Sequence, residues 1–179
     1  MSATHIALLR GVNMGASKRV PMAELRKLLS GLGYLEVQTL LNSGNALFRA
    51  APGGAGSPAG RIEEAIIRRF GFTSRVTVLK RAELARIVEE NPLGTVADNP
   101  SRLLVSVLTR PADRVKLVPL TRTDWAPEVL GLGSRAAYIW CSSGIADSRL
   151  AKGVAQVLGE EVTSRNWATI LKLHQLASA

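Results

Sequence analysis

Two hydrophobic patterns alternate along the chain: short apolar runs typical of buried strands, and stretches whose apolar residues recur every three or four positions, as in helices. The first apolar run, Ile6–Leu9, stops close to a glycine and predicts a strand. A helix is expected over Pro21–Leu32, because proline suits a first helical turn and Gly33 favours termination. The pattern continues with two strands at residues 36–41 and 45–49. A helix at 61–70 and a fourth strand at 75–79 follow.

These elements give the first eighty residues the order β-α-β-β-α-β, the split βαβ order of ferredoxin-like units. A helix over 82–90 and a loop then lead to a second stretch in which this order recurs. In that stretch we expect four strands, at residues 102–108, 125–130, 135–141 and 161–163. We expect three helices, at residues 113–118, 149–158 and 166–176.

The predicted fold class is therefore α+β, with two consecutive β-α-β-β-α-β (ferredoxin-like) units packed together and an extra C-terminal helix. The expected domains are a first unit over residues 1–80, a connecting helix and loop over 81–101, and a second unit with the C-terminal helix over 102–179. Adjacent halves of this kind would place a cleft between them, which is a common position for a ligand. The Gly-, Ala- and Pro-rich stretch 50–60 is expected to be a surface loop.

Length and composition narrow the class of protein. The 179 residues suffice for a substantial core, and 46% of them are hydrophobic. No apolar run approaches the roughly 18 residues that a membrane span needs, and the N-terminus lacks the features of a signal peptide. We therefore expect a cytoplasmic protein with no membrane partner. The single cysteine, Cys141, excludes an intrachain disulfide and is expected to be a buried thiol.

The chain is basic. Its 23 Lys and Arg residues against 14 Asp and Glu give a formal net charge of +9. Such an excess attracts anionic partners, whether nucleic acid, nucleotide or acidic metabolite. The cations are dispersed among acids without a dense basic tract, so an ordinary solvated basic surface is the alternative.

The strongest candidate for a binding site is the turn after the first strand, Arg10-Gly11-Val12-Asn13-Met14-Gly15, with Lys18 ahead of the helix. Gly11 and Gly15 would let a ligand approach the backbone, and the helix N-terminus would add N–H donors and a positive dipole. These features suit a phosphate or carboxylate. The spacing matches neither the P-loop nor the dinucleotide-binding glycine motif. A plain strand-to-helix loop, with Asn13 bonded to the backbone, would explain the same residues.

Two further stretches are rich in hydrogen-bond donors. The run Asn42-Ser43-Gly44-Asn45 has hairpin-turn composition and would present hydroxyl and amide groups to a ligand. In the run Ser164-Arg165-Asn166-Trp167, Asn166 is a candidate helix N-cap with Arg165 just outside the helix. Trp167 would either pack in the core or stack on a base or ring. Turn chemistry and core packing alone would also account for both stretches.

Familiar catalytic and cofactor chemistries are poorly represented. The two histidines, His5 and His174, form no metal-ligand spacing with Cys141, and no nucleophile-elbow motif marks a serine. We therefore predict no metal site and no cofactor, and we name no catalytic residue. An enzyme stays open as an alternative, in which Arg10 and Arg165 would stabilise developing negative charge.

These stretches resemble the signatures of an uncharacterised, mainly bacterial family, the domain of unknown function 1697. The segments Ala7–Gly15 and Pro21–Leu25 are similar to its opening, and residues 42–45 to its second signature. Ser148–Leu150 and Arg165–Thr169 are similar to later ones. The resemblance implies an α+β fold with ferredoxin-like elements and no established activity. It marks as motif positions Arg10, Gly11, Asn13, Gly15, Ser43, Gly44, Asn45, Arg165, Asn166 and Trp167.

The leading hypothesis is a protein that binds an anionic small molecule, phosphate- or nucleotide-like, with the three stretches converging on it. The predicted ligand-binding residues are Arg10, Gly11, Asn13, Gly15, Lys18, Ser43, Gly44, Asn45, Arg165, Asn166 and Trp167. An RNA- or DNA-binding protein with a basic groove is one alternative, although the strands lack the aromatic pattern of RNA-binding sheets. The others are an enzyme of unknown reaction and a partner-binding protein with no small-molecule site.

Overall fold

The protein is described here by a computed structural model that covers residues 3–50 and 56–179. In these residues the chain forms eight strands, five α-helices and one 3-10 helix. It divides into two compact units, the first comprising residues 1–82 and 175–179 and the second residues 83–174. Each unit contains a four-stranded antiparallel sheet. The mixed α and β composition predicted from the sequence is confirmed.

The sheet of the first unit has the spatial order β2-β3-β1-β4. Its strands are β1 (Ala3–Leu9), β2 (Leu35–Leu40), β3 (Asn45–Ala50) and β4 (Val76–Lys80). Helix α1 (Met22–Gly31) follows β1, and helix α2 (Pro58–Phe70) precedes β4. Strand β1 lies between β3 and β4 and is buried from Ile6 to Leu9. A strand with neighbours on both sides and covered faces needs such a continuous apolar run.

The core of the first unit joins one face of this sheet to the inner faces of the two helices. Leu25 and Leu29 of α1 and Ile62 and Ile66 of α2 are fully buried in it. Their spacings of four residues place each pair on one helical face, as the sequence pattern predicts. The core also contains Ala7, Leu9, Val12, Val20, Tyr34, Ala46, Phe48 and Val76.

Helix α2 begins earlier than predicted. The sequence places residues 50–60 in a loop, whereas the helix already starts at Pro58. The reason is local: the Ser57 hydroxyl accepts a hydrogen bond from the Gly60 backbone N–H at 3.1 Å, and Pro58 takes the first helical position. Residues 51–55 of the predicted loop lie outside the described residues.

The sheet of the second unit has the spatial order β6-β7-β5-β8. Its strands are β5 (Leu103–Leu108), β6 (Val129–Leu132), β7 (Ala136–Trp140) and β8 (Val162–Asn166). The helical elements from residue 81 onward are α3 (Arg81–Glu89), a 3-10 helix (Pro111–Arg122), α4 (Arg149–Leu158) and α5 (Trp167–Ser178). Helix α4 and the 3-10 helix bury Leu117, Leu150 and Val154 against one face of the sheet. Cys141 is buried in the same core, as predicted, and burial raises the pKa of its thiol.

Two strand predictions in the second unit are wrong in extent. The sequence predicts a strand over 125–130, but residues 126–128 form a turn and β6 starts at Val129. The Glu128 N–H bonds to the Trp125 carbonyl at 3.0 Å, and the Trp125 indole N–H donates to the Leu120 carbonyl at 2.8 Å. The last strand was expected over 161–163 but continues to Asn166, because β8 stays paired with β5 through three polar residues.

Each unit contains a buried tyrosine, and the two hydroxyls differ in whether they have a hydrogen-bond partner. In the second unit, the Tyr138 hydroxyl donates to the carbonyl of Ile87 at 2.5 Å. That carbonyl lies in the last turn of α3, where carbonyls lack an intrahelical partner. In the first unit, the buried Tyr34 hydroxyl has no hydrogen-bond partner among the described residues. Its ring packs on Phe48, with centroids 4.3 Å apart.

We expect Tyr138→Phe to reduce the free energy of unfolding by about 1–2 kcal/mol, because the Ile87 carbonyl loses its donor in a dry site. Tyr34→Phe is the matched control, and it should be neutral or slightly stabilising, since it removes an unsatisfied hydroxyl. Thermal and urea unfolding of both variants would measure the difference. Equal destabilisation by the two substitutions would contradict the assignment.

A carboxylate fixes the turn between β6 and β7. The Glu90 carboxylate accepts hydrogen bonds from the Ser134 backbone N–H at 2.7 Å and from the Ser134 hydroxyl at 2.8 Å. The backbone hydrogen bond is the main reason why the pKa of Glu90 is lowered. A Cβ atom at Gly133 would lie 2.8 Å from a Glu90 carboxylate oxygen, so a side chain there would displace the carboxylate.

The lowered pKa fixes the direction of a pH effect. The Glu90 carboxylate stabilises the fold above the ordinary pKa of glutamate, and that contribution is lost as the pH falls through the lowered value in the folded protein. Glu90→Gln should therefore be less stable than the parent protein at neutral pH and lose this deficit in acid. Unfolding midpoints measured from neutral to strongly acidic pH would show the two curves converge; a constant gap would count against the pairing.

Candidate functional site

The turn between β1 and α1 has an unusual backbone. Gly11, Asn13 and Gly15 have positive φ angles of 66°, 57° and 97°, whereas the residues between them do not. The backbone N–H of Asn13 donates to the Lys18 carbonyl at 3.1 Å, so this backbone turns the loop back on itself. Glycine and asparagine are the residues that tolerate positive φ, which explains their spacing in the motif.

Asn13 connects the first two candidate stretches. Its side-chain amide donates to the Asn42 carbonyl at 2.6 Å and to the Val20 carbonyl at 2.8 Å. Its amide oxygen accepts from the Val20 N–H at 2.8 Å. The structure therefore brings the turn after β1 against the turn between β2 and β3. Asn13 uses both amide hydrogens in this connection, so its observed role is to position the loop.

Gly44 sits where the two turns are closest. Its carbonyl accepts from the Leu9 N–H at 2.8 Å. A Cβ atom on Gly44 would lie 2.7 Å from Val12 Cγ2 and 2.8 Å from Leu9 Cβ. Neighbouring Asn45 is fully buried and donates to the Leu40 carbonyl at 2.8 Å and to the Ser43 hydroxyl at 2.9 Å. The small polar residues of this hairpin thus serve tight packing.

The other side of the first turn is tied to the segment before β4. The Arg10 N–H donates to the Arg75 carbonyl at 2.8 Å, and the Ser74 hydroxyl donates to the Arg10 carbonyl at 2.9 Å. The Lys18 ammonium donates to the Thr73 carbonyl at 3.2 Å. Sequence reasoning missed residues 73–75, because a Thr-Ser pair before a strand carries no motif. The turn is therefore held from both sides.

The start of α1 adds further donors. Pro21 is the N-cap, and no side chain caps the first turn of the helix. The first backbone N–H groups of a helix lack intrahelical partners and carry a partial positive charge. Lys18 and Arg19 are exposed immediately before them. This arrangement is suited to hold an anion at the surface.

The third candidate stretch lies in the second unit, on β8 and α5. Arg165 is 9% exposed, and burial lowers the pKa of its guanidinium to about 10. Its guanidinium donates to the Ser164 carbonyl at 2.8 Å. The Asn166 amide oxygen accepts from the Thr169 N–H at 2.9 Å, which makes Asn166 the N-cap of α5. Trp167, the first residue of α5, is half-buried.

A family model described as a protein of unknown function (DUF1697) matches residues 2–138. The chain belongs to the DUF1697 family. The conserved bacterial protein SP0830 from Streptococcus pneumoniae has a similar structure, with a TM-score of 0.78, 23% sequence identity and 99% coverage of both chains. That likeness concerns the fold. No curated protein shows significant similarity to the chain.

The first two candidate stretches lie inside the residues that match DUF1697. The Arg165–Trp167 stretch lies beyond them. Within residues 3–50 and 56–179, no three His, Cys, Asp or Glu side chains group as a metal site would require. None of the helices in that part of the chain is long and apolar enough to cross a membrane.

Gly44 in this DUF1697 protein offers a sharp test of the tight packing between the two turns. Gly44→Ala should lower the free energy of unfolding by roughly 2 kcal/mol more than Gly33→Ala, because only the first substitution creates a steric clash. The two glycines have φ angles of 84° and 85°, so the cost of positive φ is shared. Thermal unfolding of both variants would measure this; similar losses would show that the two turns can separate at no cost.

Proposed function

We propose that this protein binds a small anion, phosphate- or nucleotide-like, at the turn between β1 and α1. The observation that carries the proposal is the rigid, donor-rich geometry of residues 10–19, which is fastened to the β2–β3 hairpin by Asn13 and to residues 73–75 by Arg10 and Lys18. A loop held in one conformation binds with a smaller loss of entropy than a mobile loop.

Two kinds of donor support this site. Arg10, Lys18 and Arg19 supply full positive charges, and the first turn of α1 supplies backbone N–H groups that no side chain caps. Gly11 and Gly15 have no atom within 4 Å of a Cβ position, which leaves room for a ligand next to the backbone. In this proposal, Asn13, Ser43, Gly44 and Asn45 position the loops, and the cations and the first backbone N–H groups of α1 contact the anion.

The sequence also predicts ligand contacts at Arg165, Asn166 and Trp167. Their observed contacts favour structural roles for Arg165 and Asn166, since one is buried and the other caps α5. Trp167 keeps part of its ring exposed and is the member of this set best suited to contact a base or ring.

We also infer that both units are ferredoxin-like. Each has its first strand between its third and fourth strands in an antiparallel sheet, which supports the assignment. In the second unit a 3-10 helix stands where the first unit has α1. The 3-10 helix contains Pro119, whose missing N–H disfavours a regular α-helix there.

Titration calorimetry with inorganic phosphate and with ADP, at about 150 mM salt where charges are screened beyond about 8 Å, would test the proposed anion site. We expect saturable one-site binding that weakens about tenfold in Lys18→Ala and in Arg10→Ala, as for the loss of a charged hydrogen bond. Lys152→Ala, which removes an exposed lysine on α4, is the matched control and should bind as the parent does.

Three results would contradict the proposal: no heat with either anion, equal weakening by Lys18→Ala and Lys152→Ala, or binding only to single-stranded RNA with a steep salt dependence. The last would favour the nucleic-acid alternative.

A further inference from the structure

A groove of about 510 Å³ lies between α1 and α2 in the first unit. Its floor consists of Leu28, Leu32 and Ala65, and its rim carries charged side chains. The rim residues are Glu24, Lys27, Arg68 and Arg69. The volume falls within the range of about 300–1,000 Å³ that is typical of small-molecule sites.

The rim has an excess of positive charge. The Glu24 carboxylate bonds to the Arg69 guanidinium at 2.7 Å and to the Lys27 ammonium at 3.2 Å. The hydrogen bonds from Arg69 and then Lys27 lower the pKa of Glu24, so it stays charged at neutral pH. Three cations therefore face one carboxylate. Among the described residues, the Arg68 side chain has no hydrogen bond or ion pair.

The floor of the groove is apolar, and the Leu32 carbonyl next to it already has a hydrogen-bond partner. Leu28 and Leu32 are half-buried and pack on the core of the unit. The Leu32 carbonyl at the end of α1 accepts a hydrogen bond from the Arg61 guanidinium at 2.7 Å, so this polar group already has a partner. A purely polar anion or a polyanion would leave these apolar side chains exposed to water. An occupant with an apolar part would cover the floor and gain the free energy of burial.

We propose that the α1–α2 groove binds a small amphiphilic anion, meaning a hydrocarbon chain or ring that carries a single carboxylate or phosphate. The apolar part lies along Leu28, Leu32 and Ala65. The anionic group is bound by Arg68, with Lys27 adding to the field, while Arg69 stays paired with Glu24. This site is separate from the turn between β1 and α1 and does not depend on the function proposed for that turn.

The experiment is a titration of the isotopically labelled full chain with decanoate, followed by amide chemical shifts. We expect saturable shifts concentrated on the amides of α1 and α2. Decanol, which lacks the charge, and acetate, which lacks the chain, should each bind at least about tenfold more weakly. Choline esters of the same chain, with the charge reversed, should not bind.

Two variants locate the anionic group. Arg68→Glu should weaken decanoate binding about five- to tenfold, because an unpaired cation at the rim becomes an anion. Arg26→Glu makes the same change of net charge on α1 outside the groove and should leave the affinity within about twofold of the parent. Arg26 is exposed and bonds only to the Thr39 hydroxyl among its described contacts.

Several outcomes would overturn the proposal. Shifts spread over exposed apolar residues elsewhere would indicate nonspecific adsorption, and equal effects of the two variants would indicate general charge attraction. Decanol binding as tightly as decanoate would remove the role of the cations. Shifts of α1 and α2 produced by an acidic amphipathic peptide or a short RNA duplex, with none from decanoate, would assign the groove to a macromolecule instead.

Discussion

The candidate site of this protein depends on one side-chain amide. Asn13 makes three hydrogen bonds, two to the backbone of Val20 and one to the Asn42 carbonyl. They close the loop ahead of α1 and fasten it to the β2–β3 hairpin. Asparagine suits this position for two reasons, since it tolerates the positive φ and its amide offers donors and an acceptor together. The path of residues 10–20 follows from this contact.

Like Asn13, several other residues of the three candidate stretches have structural roles. Residues that share a motif are often assumed to share a ligand, but here the asparagines and Gly44 are occupied by the fold. Asn45 is fully buried, Asn166 caps α5, and Gly44 has no room for a side chain. The exposed side chains of the loop ahead of α1 include the cations Lys18 and Arg19. Residues of one motif can thus serve the fold rather than a ligand.

The sequence predicted the order of the elements well because the apolar periodicity of this chain is strong. Ile6–Leu9 and the inner faces of α1 and α2 lie where the pattern places them. The failures occur where polar residues form regular structure. Strand β8 continues through Ser164 and Arg165 because β5 offers partners for its backbone, which no side-chain pattern records. The contact between Asn13 and Asn42 spans 29 positions, so local sequence could mark both turns without showing that they meet.

Charge on this basic chain is better judged from its pairing than from its total. Several cations are already engaged: Arg69 with Glu24, Arg49 with Glu36, and Arg61 with the end of α1. Such exposed pairs contribute little stability. Because their charges compensate each other, they also attract an anionic partner only weakly. The two proposals therefore use only cations that lie next to a second, independent feature. Lys18 and Arg19 stand beside uncapped helix N–H groups, and Arg68 stands beside an apolar floor. In the two proposals above, the first combination would select a polar anion, whereas the second would require an anion with a hydrocarbon part.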